Sequence, residues 1–333
     1  MDFIIFGLSA IITVLAAIEL SNNADVLSQK TALGGLLVGT LLLGGATSLP
    51  EVTASLSAVI IANPDIAVGN MLGSNMFNIF IIACFDIYYR KKRLYQLANT
   101  GHLYTAGLGL ALTAMTLVGL VRKVDYMVLG VGVDSLLVAF VYGTGIYVIS
   151  RMSKGSSDDK VMVPDFEEEV VDDSHSTTPV RRAALSFVIA AVAIMGAGTL
   201  LSISGDKIAE ITGLGSTFIG SFLMAATTSL PEAVAVLVAL KLRNINLAVG
   251  SILGSNIFNM LILVGADSAY RTGSILANVA PSHQITATVV TFLSVFLVIS
   301  LMRKKNTSTV SYVMPSILIV VGYFIATYLI FMG

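Results

Sequence analysis

The chain has 333 residues, 56% hydrophobic and only 12% charged, with a formal net charge of −1. A soluble globular domain carries about twice that charged fraction, so the composition excludes one, and the near-neutral balance excludes a global field for nucleic acid or an acidic partner. The single cysteine, Cys84, excludes an intrachain disulfide.

Apolar runs long enough to cross a ~30 Å hydrocarbon layer recur along the whole chain. Spans are predicted near 3–20, 33–62, 66–88, 102–121, 126–150, 183–203, 213–240, 246–269, 283–302 and 311–332. No basic stretch precedes the first run and no small-residue cleavage site follows it, so it reads as a retained span. The second run, about thirty residues, would reach ~45 Å as one straight helix, longer than the bilayer needs. It contains GGATSLPEV at 44–52, which places a helix-breaking proline and a carboxylate at membrane depth. Glu19 and Asp25 lie near the end of the first run and read as interfacial. Asp134 lies inside the fifth run and reads as an interhelical hydrogen-bonding group or part of an ion or proton pathway.

Between the fifth and sixth runs lies the stretch of low hydrophobicity, 151–182. Its PDFEEEVVDD segment holds six carboxylates between Asp165 and Asp173 and reads as a flexible solvated linker. With ten spans, fifteen Lys and Arg fall on the side of that linker and four (Arg122, Lys123, Lys207, Arg271) on the other. Excess positive charge marks the cytoplasmic side. The count therefore places the linker in the cytoplasm and both termini outside it, with RKKR at 90–93 and RKK at 303–305 as topology determinants.

The sequence also repeats itself. TSLPEVTASLSAVIIANPDIAVGNMLGSNMFN at 47–78 aligns without a gap on TSLPEAVAVLVALKLRNINLAVGSILGSNIFN at 228–259, at a constant offset of 181 and with 18 of 32 positions identical. Asp86, Tyr89 and Arg90 fall on Asp267, Tyr270 and Arg271, for which a capping or ion-pair role at span ends is expected. The chain is thus a duplicated five-span unit. Five is odd, so the halves enter the membrane in opposite orientations, the inverted repeat of many secondary transporters, with the site expected at the repeat interface. The fold class that follows is an all-α membrane protein of ten transmembrane helices, with helices broken at the ion site. Its parts are a first repeat at 1–150 (motif 44–78), an acidic cytoplasmic linker at 151–182 and a second repeat at 183–333 (motif 225–259). The glycines of GNMLGSN and GSILGSN permit close helix packing or local unwinding.

The repeats bring a specific donor set. Each half supplies a glutamate (Glu51, Glu232), an asparagine (Asn78, Asn259) and hydroxyls (Thr47, Ser48 and Ser74; Thr228, Ser229 and Ser255). All are oxygen donors without histidine or thiolate, which suits Ca²⁺ or Na⁺ and disfavours Zn²⁺ or Cu. Asn75 and Asn256 are expected to hold backbone rather than ions. His102, His175 and His283 receive no role.

The paired motifs, G-x-x-T/S-S-L-P-E followed by G-N/S-x-x-G-S-N-x-x-N, resemble the alpha-repeats of the sodium/calcium exchangers in the calcium/cation antiporter superfamily. The resemblance covers essentially the whole chain, and the span count, termini and central loop are similar to those of prokaryotic members. It implies a secondary antiporter exchanging Na⁺ for Ca²⁺ by alternating access, with several Na⁺ per Ca²⁺. By it, Glu51 and Glu232 ligate Ca²⁺ and compete for Na⁺, and Thr47 and Thr228 add oxygens. Ser48, Ser74, Ser229 and Ser255 line flanking Na⁺ sites, with Asn78 and Asn259 central. Potassium-dependent members have an aspartate where this chain has Asn259, so the resemblance implies no K⁺ coupling. Cation/proton members carry an acidic residue where this chain has Met71-Leu72 and Ile252-Leu253, which favours Na⁺ over H⁺. Proton/Ca²⁺ exchange on the same scaffold is the nearest alternative. An aspartyl-type intramembrane protease lacks its paired aspartates here, and a channel would show uncoupled conductance. The expected partners are Ca²⁺ and Na⁺ as substrates and the lipid bilayer, with no cofactor, no nucleic acid, no enzymatic activity and no obligate protein partner.

Overall fold

A computed structural model describes residues 1–31, 33–60, 62–153, 178–212, 225–303 and 308–332. The described residues are almost entirely helical. The first helix, α1 (Asp2–Lys30), runs ten residues past the predicted span. Next come α2 (Gly34–Leu37), a π-helical turn at Val38–Leu43, α3 (Gly44–Thr47), α4 (Leu49–Ile60) and α5 (Pro64–Tyr88). The first half continues with the short α6 (Leu94–Leu97), α7 (Gly101–Arg122), a two-stranded hairpin of β1 (Met127–Val128) and β2 (Val131–Gly132), and α8 (Val133–Ser153). The second half has α9 (Val180–Thr212), α10 (Ala225–Thr228), α11 (Leu230–Lys241), α12 (Ile245–Ala269), a 3₁₀ turn at Ile275–Ala277, α13 (Ser282–Met302) and α14 (Thr309–Met332).

Among the described residues eight helices are long and apolar enough to cross a membrane, and the pair Gly35–Thr47 and Leu49–Ile60, bent by 45°, makes a ninth. The first part of the second-half counterpart of that pair, 213–224, lies outside the described residues, as do the acidic segment 165–173, His175, Lys304 and Lys305.

Burial follows the inverted-repeat logic. Helices α5 and α12 are the most enclosed, with 83% of each apolar window buried, while α1, α8, α13 and α14 show Leu, Ile, Val and Phe outward, as a lipid-facing ring requires. The glycines of α5 and α12 do not unwind them; both helices run unbroken for 25 residues. In α12 they serve close packing. A Cβ on Gly250 would lie 3.2 Å from the Gly39 Cα, and one on Gly44 would lie 2.7 Å from the Ser255 nitrogen. Residues 39–44 therefore rest backbone-to-backbone on α12.

Asp25 and Asp86 sit otherwise than the sequence suggests, while Asp267 takes the capping role expected of it. Asp25 is buried rather than interfacial, and it accepts from Gln29 Nε2 at 2.7 Å and from Asn244 Nδ2 at 2.7 Å. Asp86 and Asp267 form no ion pair with Arg90 and Arg271 among the described residues. Asp86 instead accepts from Tyr312 Oη at 2.5 Å and Ser316 Oγ at 2.7 Å, both on α14. Asp267 accepts the backbone N–H of Gly132 at 2.7 Å and of Ile275 at 2.6 Å, so it caps the 3₁₀ turn and fastens the hairpin. Desolvated carboxylates need such donors, and hydroxyls or amides supply them without burying a cation as well.

Candidate functional site

Each TSLPE segment forms a hinge two residues ahead of its proline. Pro50 has no N–H to give the Ala46 carbonyl, and Pro231 has none for Thr227. The helix yields at Ser48 (φ −85°, ψ 10°) and at Ser229 (φ −85°, ψ 9°), one geometry in both halves. Beyond the hinge each proline sits in the first turn of a new helix, where a missing donor costs nothing. Thr47 turns its hydroxyl back onto the Leu43 carbonyl at 3.0 Å, a local bond that competes with the helical ladder and helps to bend it.

The hinges place Glu51 and Glu232 at zero solvent exposure. Each carboxylate is held by hydroxyls from both halves. Glu51 Oε1 accepts from Ser229 Oγ at 3.3 Å and from Ser74 Oγ at 3.4 Å. Glu232 Oε1 accepts from Ser48 Oγ at 3.1 Å and from Ser255 Oγ at 3.4 Å. Behind them Thr47 Oγ1 lies 3.3 Å from Ser255 Oγ, and Ser74 Oγ lies 3.4 Å from Thr228 Oγ1. Every one of these contacts has its counterpart at the offset of 181.

The asparagines form a second symmetric set between α5 and α12. Asn78 Nδ2 donates to Asn256 Oδ1 at 3.1 Å, and Asn259 Nδ2 donates to Asn75 Oδ1 at 3.0 Å. Asn75 also donates to the Asn256 backbone carbonyl at 3.2 Å, so it holds backbone, as its position suggests, and orients Asn259 as well.

This bonding leaves a definite residue of unused acceptors. Glu51 Oε2, Glu232 Oε2, Asn78 Oδ1 and Asn259 Oδ1 are buried without a hydrogen-bond partner. Two of the four belong to carboxylates, and the described ion pairs place no cationic side chain against either. Uncompensated anionic oxygen in a dry interior is costly. The donor chemistry, carboxylate with carboxamide and hydroxyl, is hard oxygen and suits Na⁺ or Ca²⁺. Among the described residues no group of three or more His, Cys, Asp and Glu comes together elsewhere.

The model of the sodium/calcium exchanger protein family matches residues 1–150 and 182–332. The chain belongs to that family. Two relatives extend over most of it. CaxA of Alkalimonas amylolytica is 26% identical over 318 residues, 91% of this chain and 92% of its own length. The inner membrane protein YrbG of Escherichia coli (strain K12) is 26% identical over 265 residues, 80% of this chain and 78% of its own length. The fold is similar to that of the sodium-calcium exchanger NCX_Mj soaked with 2.5 mM Na⁺ and 0.1 mM Ca²⁺, with TM-score 0.67 and 19% identity over 98% of this chain and 97% of that one. Soaked with 2.5 mM Na⁺ and 10 mM Sr²⁺, the same protein gives TM-score 0.68 at 19% identity, over 98% of each chain. The chain is therefore a multi-pass membrane protein of an antiporter fold.

Three further features of this exchanger-family chain lie at a variable motif position or outside the motifs. Asn70 and its counterpart Ser251 differ in use: Asn70 accepts from Thr228 at 3.4 Å and donates to Ser55 at 3.3 Å, whereas Ser251 Oγ is buried without a partner. Asp134 opens α8 with one buried carboxylate oxygen without a hydrogen-bond partner, beside Gly119. The two helix-end histidines are themselves a repeated pair. His283 Nε2 and the Ala280 N–H meet Asp65 Oδ1 at 3.0 and 2.7 Å, while His102 Nε2 and the Asn99 N–H meet Asn246 Oδ1 at 3.3 and 2.8 Å. The offset of 181 separates each of these matched positions in the sequence, which is the signal that finds them.

Proposed function

We propose that the chain is an electrogenic Na⁺/Ca²⁺ antiporter in which Glu51 and Glu232 form the shared cation site. The observation that carries this reading is the set of four buried acceptors, Glu51 Oε2, Glu232 Oε2, Asn78 Oδ1 and Asn259 Oδ1, left without donors in an otherwise bonded cluster. Two carboxylates neutralise one Ca²⁺ and thereby remove the penalty of burying them. The hydroxyls of Thr47, Ser48, Ser74, Thr228, Ser229 and Ser255 stand next to these carboxylates or to each other and complete the oxygen environment for Na⁺. Because both ions need the same glutamates, their occupancy is exclusive and each gradient can drive the other. Several Na⁺ moved per Ca²⁺ carry net charge, worth about 2.3 kcal/mol per charge per 100 mV.

The absence of an acidic side chain at Met71-Leu72 and Ile252-Leu253 supports Na⁺ rather than H⁺ as the coupling ion. The asymmetry of Lys and Arg supports a cytoplasmic linker at 151–182 between repeats 1–150 and 183–333, with both termini outside the cytoplasm. The test is a gradient swap in proteoliposomes holding the full chain. A Na⁺ gradient directed outward from the lumen should drive radiocalcium uptake, and a potassium diffusion potential, lumen positive under valinomycin, should accelerate it, because net positive charge leaves the lumen in each cycle. Uptake driven by a pH gradient and indifferent to Na⁺ overturns the Na⁺ reading in favour of proton exchange on the same scaffold.

A further inference from the structure

Where α5 leaves the membrane, a cleft of about 650 Å³ opens between its last turn and α14. Cys84, Tyr88 and Val320 line its apolar part, and Arg90, Lys91 and Lys92 line the same cleft one turn further on. None of the described residues lining it is acidic. Tyr88 is 77% exposed, as an amphipathic ring at a headgroup boundary is.

The duplication separates what this turn needs from what it has in addition. Asp86, Tyr89 and Arg90 recur as Asp267, Tyr270 and Arg271, yet Lys91, Lys92 and Arg93 face Thr272, Gly273 and Ser274. The matching turn in the second half keeps Arg271 and is built without the other three cations, so local folding does not require Lys91, Lys92 or Arg93. A bias of charge between membrane faces accounts for cations on this side. It does not account for an open apolar cleft directly beneath them.

We propose that this cleft is a binding site for one anionic phospholipid, with the phosphate at Arg90, Lys91 and Lys92 and an acyl chain along Cys84 and Val320. The charge fits a phosphodiester, because a basic rim over an interhelical apolar slot at the membrane surface recognises an anionic headgroup and its chain together. A zwitterionic lipid offers the same chain without net charge. The site lies at the end of the helix that carries Ser74, Asn75 and Asn78, so its occupant braces α5 against α14.

Native mass spectrometry of the full chain in detergent with EDTA tests this, using dioleoyl phosphatidylglycerol and dioleoyl phosphatidylcholine as probes. The wild type should retain one phosphatidylglycerol at least tenfold more tightly than phosphatidylcholine. R90Q and K91Q should each weaken that retention about fivefold. V320W fills the apolar slot while keeping every cation, and it too should weaken retention; this arm remains decisive if charge substitutions disturb membrane insertion. Equal retention of the two lipids by the wild type, or unchanged phosphatidylglycerol retention in V320W, overturns the proposal. So does displacement of the lipid by equimolar glycerol 3-phosphate, which would make the rim a site for free phosphate.

Discussion

Ser48 donates to Glu232 across the boundary between the two repeats, at 3.1 Å, and Ser229 returns the same bond to Glu51 at 3.3 Å. Each half thus holds the other half's carboxylate. Neither motif is a site by itself, and a change in one hinge is felt at the opposite glutamate.

Glu51→Gln and Glu232→Gln each remove one of two buried charges while keeping volume and hydroxyl contacts. Removing one partner of a buried charge set costs about 3–5 kcal/mol, so Ca²⁺ affinity should fall at least a hundredfold in either variant. The measurement is Na⁺-dependent radiocalcium uptake beside a monodisperse elution profile. Exchange retained in both variants would sink the site assignment.

Asn75→Ala should act through Asn259. It leaves the Asn259 Nδ2 donor buried without its acceptor, which costs about 1–3 kcal/mol. Thermal unfolding in detergent should shift downward, and ion affinity should fall by less than in the glutamate variants. An unchanged melting temperature contradicts the carboxamide ladder between α5 and α12.

Gly254 and Gly265 lie on the same helix and predict opposite results. A Cβ on Gly254 would overlap the Thr40 carbonyl and come within 2.7 Å of its Cα, whereas one on Gly265 meets nothing within 4 Å. Gly254→Ala should destabilise by about 1–3 kcal/mol through overpacking, and Gly265→Ala should stabilise by about 0.5–1 kcal/mol through helix propensity. Paired thermal melts read both.

Asp65→Asn gives the α5–α13 tether the chemistry that Asn246 already has in the other half. An acceptor for Ala280 and His283 survives, so the expected loss is under about 1.5 kcal/mol. Asp65→Ala strands both donors and should cost more. The two variants compared by thermal melt separate hydrogen bonding from charge, and equal losses contradict the tether.

Much of this was legible in the residues because the duplication is itself a spatial restraint. Offset 181 pairs Glu51 with Glu232 and Asn78 with Asn259 before any coordinate is known, and Pro50 announces a break near Ser48. The rest depended on packing that no local pattern encodes. Helix α1 runs on to Lys30 because its buried Asp25 is satisfied by Asn244, a partner 219 positions away. The hairpin at Met127–Gly132 lies inside what reads as one apolar run, and Asp267 holds it from another span. The offset aligns Asp65 with Asn246 and His102 with His283, yet nothing in it tells that His283 meets Asp65 and His102 meets Asn246.

The bonding of Asp86 and Asp267 has an evolutionary consequence. Asp267 is held by backbone amides, which no substitution other than proline can delete. Asp86 is held by the Tyr312 and Ser316 hydroxyls, and one nucleotide change at either codon can remove a donor. One copy of the ancestral carboxylate is therefore insulated from drift, while its twin stays adjustable. Selection can retune how firmly α5 is tied to α14 and leave the tie of α12 to the hairpin as it was.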